Sequence, residues 1–160
     1  MSKFVDKILL EIGDLNNINY FDFSQVRNDK NFTRYTAVDD NNQKIDFDFS
    51  NLSKEYNSLK VFVFAFGLKD GDKNNTDAAY LFKVYKTALL IFHEFISTVK
   101  PDLIMFYGDN DKKHRIYVKL VDSNNISGYH KGVTEYDGHS VLCVYRKDLD
   151  KEVKDYFDLK

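Results

Sequence analysis

The run from Leu59 to Leu120 constrains this chain most, because it alternates strand, polar loop, long helix, strand and short helix. Leu59-Lys-Val-Phe-Val-Phe-Ala-Phe66 carries apolar residues on both faces, as a central strand covered on two sides requires. Gly67 to Thr76 reads as a polar loop. From Ala78 to Val99, Leu81, Phe82, Tyr85, Ala88, Leu89, Phe92, Phe95, Ile96 and Val99 recur at the spacing of one buried helical face. Pro101 stops that helix, and Leu103 to Tyr107 reads as the next strand. A strand feeding a crossover helix and a neighbouring strand is the unit on which many nucleotide and coenzyme sites are built. The expected fold is therefore mixed α/β.

The flanks complete the pattern. Phe4, Val5, Ile8, Leu9 and Ile12 share one helical face that Gly13 would end. Segments 19–23, 32–38 and 45–49 read as short strands, with Asp39-Asp-Asn-Asn42 as a hairpin turn. In the last of them Ile45, Phe47 and Phe49 alternate with Asp46 and Asp48. Lys112 to Val121 reads as a short helix turning Ile116, Leu120 and Tyr117 inward. Tyr129 to Tyr136 and His139 to Arg146 flank Asp137-Gly138, a dipeptide suited to a two-residue turn whose central positions need positive φ. That turn pairs Tyr136 with His139 and sets His130 opposite Tyr145. A last amphipathic helix carries Leu149, Val153 and Phe157. With no repeat, low-complexity linker or break in composition, residues 1–160 read as a single domain with antiparallel N-terminal strands.

Composition narrows the function classes. A net charge of −2 without a basic stripe argues against a duplex-binding protein. No segment offers the ~20 consecutive apolar residues of a membrane span. The N-terminal segment carries acids within its short apolar run and has no small-residue cleavage site, so it does not read as a signal peptide. The single cysteine, Cys143, cannot form an internal disulfide and lies in an apolar strand pattern, which suits an inert buried thiol. The expected setting is a reducing, intracellular one, or a particle assembled there.

From Leu59 to Arg146 the order strand, helix, strand, helix, hairpin resembles the C-terminal half of the GNAT acetyltransferase superfamily. Asn110-Asp-Lys-Lys113-His-Arg-Ile116-Tyr117-Val-Lys-Leu120 is similar to that family's Asn-x-x-Ala-x-x-Leu-Tyr-x-Lys-Leu segment, with Lys113 in place of the alanine. The resemblance implies a GNAT-like fold and an alternative function, acetyl-CoA-dependent N-acyl transfer. Tyr117 would then be the acid that protonates the departing thiolate, and Lys73, Asn75, Thr76 and Asn110 would hold the coenzyme. The family's phosphate loop, however, is glycine-rich and directly precedes its helix. The matching stretch here, Gly67-Leu-Lys-Asp-Gly-Asp-Lys-Asn-Asn-Thr76-Asp77, has three acids, and Gly71 lies well before the helix. Thr76 or Asp77 suits an N-cap that would take the same N–H groups a phosphate needs.

The chain is also similar to small proteins of tailed bacteriophages. Phe82-Lys-Val-Tyr85-Lys-Thr87-Ala-Leu-Leu-Ile91, Lys100-Pro-Asp-Leu-Ile104-Met-Phe106 and Arg115-Ile-Tyr117 carry that likeness. It implies a phage origin more than an activity; with the acidic loop and no complete catalytic constellation, the expected function is a non-catalytic virion component or accessory factor whose partners are other phage or host proteins and which needs no cofactor. The bias of 19 Lys over 4 Arg would suit an AT-rich genome of that kind.

Other candidates have plainer explanations. His93, His114, His130 and His139 lack ligand spacing, so no metal site is expected. Asp46 and Asp48 share a strand face and could pair as carboxylates, but a solvated outer face accounts for them. Asp70-Gly-Asp72 lacks the later acids that complete a calcium loop.

Overall fold

In a computed structural model of the chain, the described residues are 18–56, 59–68, 78–107, 111–123, 126–136 and 138–157. The helix expected over 4–12, its stop at Gly13, and the loop residues 69–77 lie outside them. Seven strands are present among the described residues: β1 Phe23–Asn28, β2 Phe32–Val38, β3 Lys44–Asn51, β4 Val61–Leu68, β5 Leu103–Phe106, β6 Tyr129–Tyr136 and β7 His139–Arg146. Three α-helices accompany them: α1 Ala78–Val99, α2 Asp111–Ser123 and α3 Asp150–Phe157.

The strands form one sheet in the order β1-β2-β3-β4-β5-β7-β6. Only β4 and β5 run parallel; the other neighbours are antiparallel. A parallel pair needs a crossover, and α1 supplies it. The hairpin register is as the Asp-Gly turn requires, with Tyr136 opposite His139 and His130 opposite Tyr145. Gly138 adopts φ +77°, a conformation that glycine reaches without a Cβ clash.

Alternation along each strand separates two faces. On one, Tyr35, Ala37, Ile45, Phe47, Phe49, Phe62, Phe64, Ile104, Phe106, Leu142 and Val144 form the main core with α1 and α2. On the other, Val61, Leu103, Met105, Val141, Cys143 and Tyr145 pack on Val153 and Phe157 of α3. Strands β4, β5 and β7 are thus apolar on both faces, which is why the β4 segment lacks clean polar alternation.

Of the two rows that β4 offers, the Phe62–Phe64–Phe66 row meets α1. Phe92 lies 5.9 Å from Phe64, Phe95 5.0 Å from Phe62 and Tyr85 6.1 Å from Phe66, between ring centroids. The helix buries a wider arc than its sequence stripe, adding Val84, Thr87 and Ile91. Phe82 and Leu89 turn sideways to Ile116 and Leu120 of α2. One helix is therefore covered by both the sheet and its neighbour.

The strand expected at 19–23 is displaced: β1 begins at Phe23, where the expected segment ends. Phe21 is buried, and its N–H donates to Thr87 Oγ1 at 2.9 Å, so this stretch docks on α1 before the chain enters the sheet. The strand that follows, Phe-Ser-Gln-Val-Arg-Asn, is mostly exposed because it is the sheet edge. A register shift between Gln25 and Arg27 makes a bulge there, a common device for edge strands.

Candidate functional site

The sheet opens at the C-terminal end of its parallel pair. The β4–β5 ladder runs from Val61 opposite Leu103 to Phe64 opposite Phe106, and the Tyr107 N–H donates to the Phe64 carbonyl at 3.0 Å. Among the described residues, β4 continues past that point to Leu68 against β3 alone. Among them too, the residues of β7 before Leu142 pair only with β6. The middle strand thus stops short of both neighbours. The helices α1 and α2 follow these two strand ends; in open parallel α/β sheets ligands bind beyond the carboxyl ends of the strands, and β4–β5 is the parallel pair among the described strands.

The sequence-derived residues divide sharply here. Lys73, Asn75, Thr76 and Asn110 lie outside the described residues. Tyr117 is described, on the buried side of α2, and is only 3 % exposed. Its ring centroid lies 5.7 Å from that of Phe66 and 5.6 Å from that of Phe106. Phe66 also meets Tyr85, whose phenol is pushed up to about 12 by burial and so stays neutral at physiological pH. Phe66, Tyr85, Phe106 and Tyr117 form an aromatic plug between the helices above the end of the parallel pair. The Tyr117 ring is thus one of the plug's packed members.

On the opposite face of the same strand ends, Tyr107 meets Tyr136 and His139 edge-on at 6.2 and 6.4 Å. A Cβ built on Gly67 would meet nothing within 4 Å, so the backbone of β4 is open there.

The paired carboxylates are a cross-strand ladder. Arg34 donates to both oxygens of Asp48, Nε at 2.7 Å and Nη2 at 3.0 Å, and its Nη1 lies 3.7 Å from Asp46. Thr36 Oγ1 donates to Asp46 at 2.8 Å. The guanidinium sits between the two carboxylates and pairs with Asp48 through two hydrogen bonds, which makes the group a cross-strand ion-pair ladder. The β2–β3 register puts Arg34 opposite Asp48, and sequence reading missed this partner.

Asp39 was also missed as a tie between elements. One of its carboxylate oxygens accepts the N–H groups of Asn41 and Gln43 at 2.9 and 2.8 Å, and the other accepts the Tyr80 hydroxyl at 2.8 Å. Burial, with the neighbouring Asp39, raises the Tyr80 phenol and keeps it a donor. The first turn of α1 is thereby fastened to the β2–β3 hairpin. The Asp-Asp-Asn-Asn turn signalled the hairpin but not this reach.

Cys143 is fully buried and its thiol is pushed up to about 12 by desolvation, which suppresses the thiolate a nucleophile needs. Among the described residues no group of three or more His, Cys, Asp and Glu could hold a metal. His130 lies beside Tyr145 at 5.9 Å. No helix among the described residues is long and apolar enough to cross a membrane. Compared with known proteins, the chain matches no family model and no curated sequence.

Proposed function

We propose that this chain is a non-catalytic protein of phage type with a GNAT-like fold, acting by binding another protein as a virion component or accessory factor. The aromatic plug carries the reading: Phe66, Phe106 and Tyr117 pack together beyond the C-terminal end of the parallel pair, the side from which a coenzyme would approach a GNAT-like fold. The acids in the sequence from 69 to 77 add charge unfavourable to a pyrophosphate. A fold is separable from the chemistry it supports elsewhere.

Protein binding draws support from the sheet edge. Tyr20, Val26 and Val38 are the exposed large hydrophobic residues among those described, and they lie on or beside β1 and the adjoining end of β2. Phage type rests on the sequence likeness alone. A tagged chain should retain a partner from infected cells that Val26→Asp fails to retain; equal retention by both would remove the edge from the reading.

A second reading, an acetyl-CoA-dependent N-acyltransferase, is favoured by the single parallel pair in an otherwise antiparallel sheet and by Tyr117 on the helix after β5. Thermal melts with millimolar coenzyme A and acetyl-CoA separate the two. The non-catalytic reading expects no shift. A ligand bound at a hundredfold excess over its Kd would add about 2.7 kcal/mol of stability, and such a rise would favour the enzyme.

A further inference from the structure

The two edges of the sheet differ. Strand β1 is broken by the register shift between Gln25 and Arg27, a device that blunts an edge against further pairing. Strand β6, at the other edge, keeps an unbroken register with β7 over the eight residues from Tyr129 to Tyr136. It has no bulge and no proline, and no strand lies beyond it among the described residues. The unpaired backbone groups of such an edge are a template for another strand.

The hairpin decides which of those groups face outward. Antiparallel neighbours alternate between pairs that exchange backbone hydrogen bonds and pairs that do not. The Lys147 N–H donates to the Gly128 carbonyl at 2.9 Å. The Tyr129 N–H turns instead to the Ile126 carbonyl at 3.2 Å, and the N–H of Arg146, opposite Tyr129, turns to the Asp102 carbonyl at 3.0 Å. Even-numbered residues of β6 therefore aim their N–H and C=O groups at β7. Lys131, Val133 and Glu135 aim theirs along the free edge. Lys131 and Glu135 are exposed, and Val133 is half-buried.

These three residues are complementary to themselves. Across a two-fold axis a surface meets its own copy, and with Val133 on the axis an antiparallel copy of β6 sets Val133 against Val133 and Lys131 against Glu135 in both directions. All are outward residues, so each of these pairs exchanges backbone hydrogen bonds. Their side chains share one sheet face, where two ion pairs flank the valines. The intervening pairs, His130 with Tyr136 and Gly132 with Thr134, are the close ones without backbone bonds, and Gly132 leaves Thr134 room. An axis at Lys131 or at Glu135 would oppose like charges, and one at Gly132 would set Lys131 against Val133. Lys131 already pairs with Asp122, but an ammonium has three donors and can serve both carboxylates. We propose that β6 is a two-fold interface between two copies of this chain, which joins their sheets into one through Lys131, Val133 and Glu135. This interface stands on the sheet edge and is independent of the phage-type reading.

Sedimentation over protein concentrations from about 1 μM to about 1 mM tests the pairing. The chain should pass from monomer to dimer, and hydrogen exchange at the Lys131, Val133 and Glu135 amides should slow as it does, while the inward Gly132 and Thr134 amides stay unchanged. Lys131→Glu and Glu135→Lys should each weaken self-association at least about tenfold, because each sets like charges opposite one another. Mixed in equal amounts, the two variants should form a heterodimer, since every charged position then meets its opposite. Val133→Pro removes an outward N–H at an edge position that tolerates proline and should leave a folded monomer. It replaces Lys131→Glu in the series if loss of the Asp122 ion pair unfolds that variant. The proposal is overturned if the parent stays monomeric at about 1 mM, if folded variants associate as the parent does, if the mixture of folded charge variants stays monomeric, or if the newly protected amides lie on β1.

Discussion

At its N-terminal end the parallel β4–β5 pair is held by directional polar contacts, whereas at its C-terminal end it is held by packed rings. Asp102, almost fully buried, organises the first. Its Oδ2 accepts the Lys60 N–H at 2.7 Å and its Oδ1 accepts Arg146 Nη1 at 3.2 Å. Its own N–H donates to the Lys60 carbonyl at 2.9 Å, and its carbonyl accepts the Arg146 N–H at 3.0 Å. One residue therefore ties the starts of β4 and β5 to the end of β7. At the other end Phe64, Phe66, Phe92, Phe106 and Tyr117 interlock at centroid distances of 4.8 to 5.9 Å. Hydrogen bonds fix which residue opposes which, while rings supply burial worth roughly 1.5–3 kcal/mol each. Polar contacts fix the register at one end, and a cluster of packed rings closes the other.

That contrast predicts a ranked series of losses. The largest should come from Phe92→Ala, which removes a ring between Phe64 and Phe106 and should cost about 3–5 kcal/mol in denaturant melts. A loss below about 1 kcal/mol would show that the aromatic end does not carry the apolar energy. Tyr117 sharpens the same point. Tyr117→Ala should approach the Phe92→Ala loss, whereas Tyr117→Phe keeps the packed ring and should cost no more than about 1.5 kcal/mol, the scale of one hydrogen bond. If Phe and Ala prove equally damaging, the hydroxyl rather than the ring holds that end together.

At the polar end, Asp102→Ala should cost about 1–3 kcal/mol by leaving the Lys60 N–H without its carboxylate acceptor. Hydrogen exchange should show the greatest loss of protection at the Lys60 and Arg146 amides. Protection lost instead around Tyr117 would break the division between the two ends.

The smallest effects belong to the outer side of α1. Burial, and secondarily the charge of Lys86, lowers the His93 pKa below its ordinary value of 6.5. Because the folded pKa is the lower one, the unfolded chain takes up the proton first. Stability associated with His93 is then complete above about pH 6.5 and falls as the pH drops toward the folded pKa. His93→Gln should flatten this part of the melting-temperature profile between about pH 7.5 and 5. Lys86→Ala should change stability at neutral pH by no more than about 0.5 kcal/mol, while reducing the acid-side loss by removing a like charge. An unaltered pH profile in both variants would take His93 out of the account.

Local signals in the chain were sufficient for the mixed α/β class, the bounds of α1, the registered hairpin after Ile126, the inward side of β3 and the inert Cys143. Each depends on periodicity of 3.6 or 2, on a turn dipeptide, or on one residue's burial, and neighbours in sequence already encode those quantities. Tertiary structure decided that Phe62, Phe64 and Phe66 rather than Val61, Val63 and Ala65 face α1, since a strand apolar on both sides carries no mark of which side meets which helix. It also moved the first strand from 19–23 to 23–28 by docking Phe21 on Thr87, set Arg34 between Asp46 and Asp48, and made Asp102 a three-strand tie. The same holds for Tyr117. An Ile-Tyr pair on a short helix does not say what its ring meets, and only the fold brings Tyr117 to Phe66 and Phe106, separated from it by 51 and 11 residues of chain. Such long-range contacts depend on how whole elements stack, and no local pattern of residues encodes that.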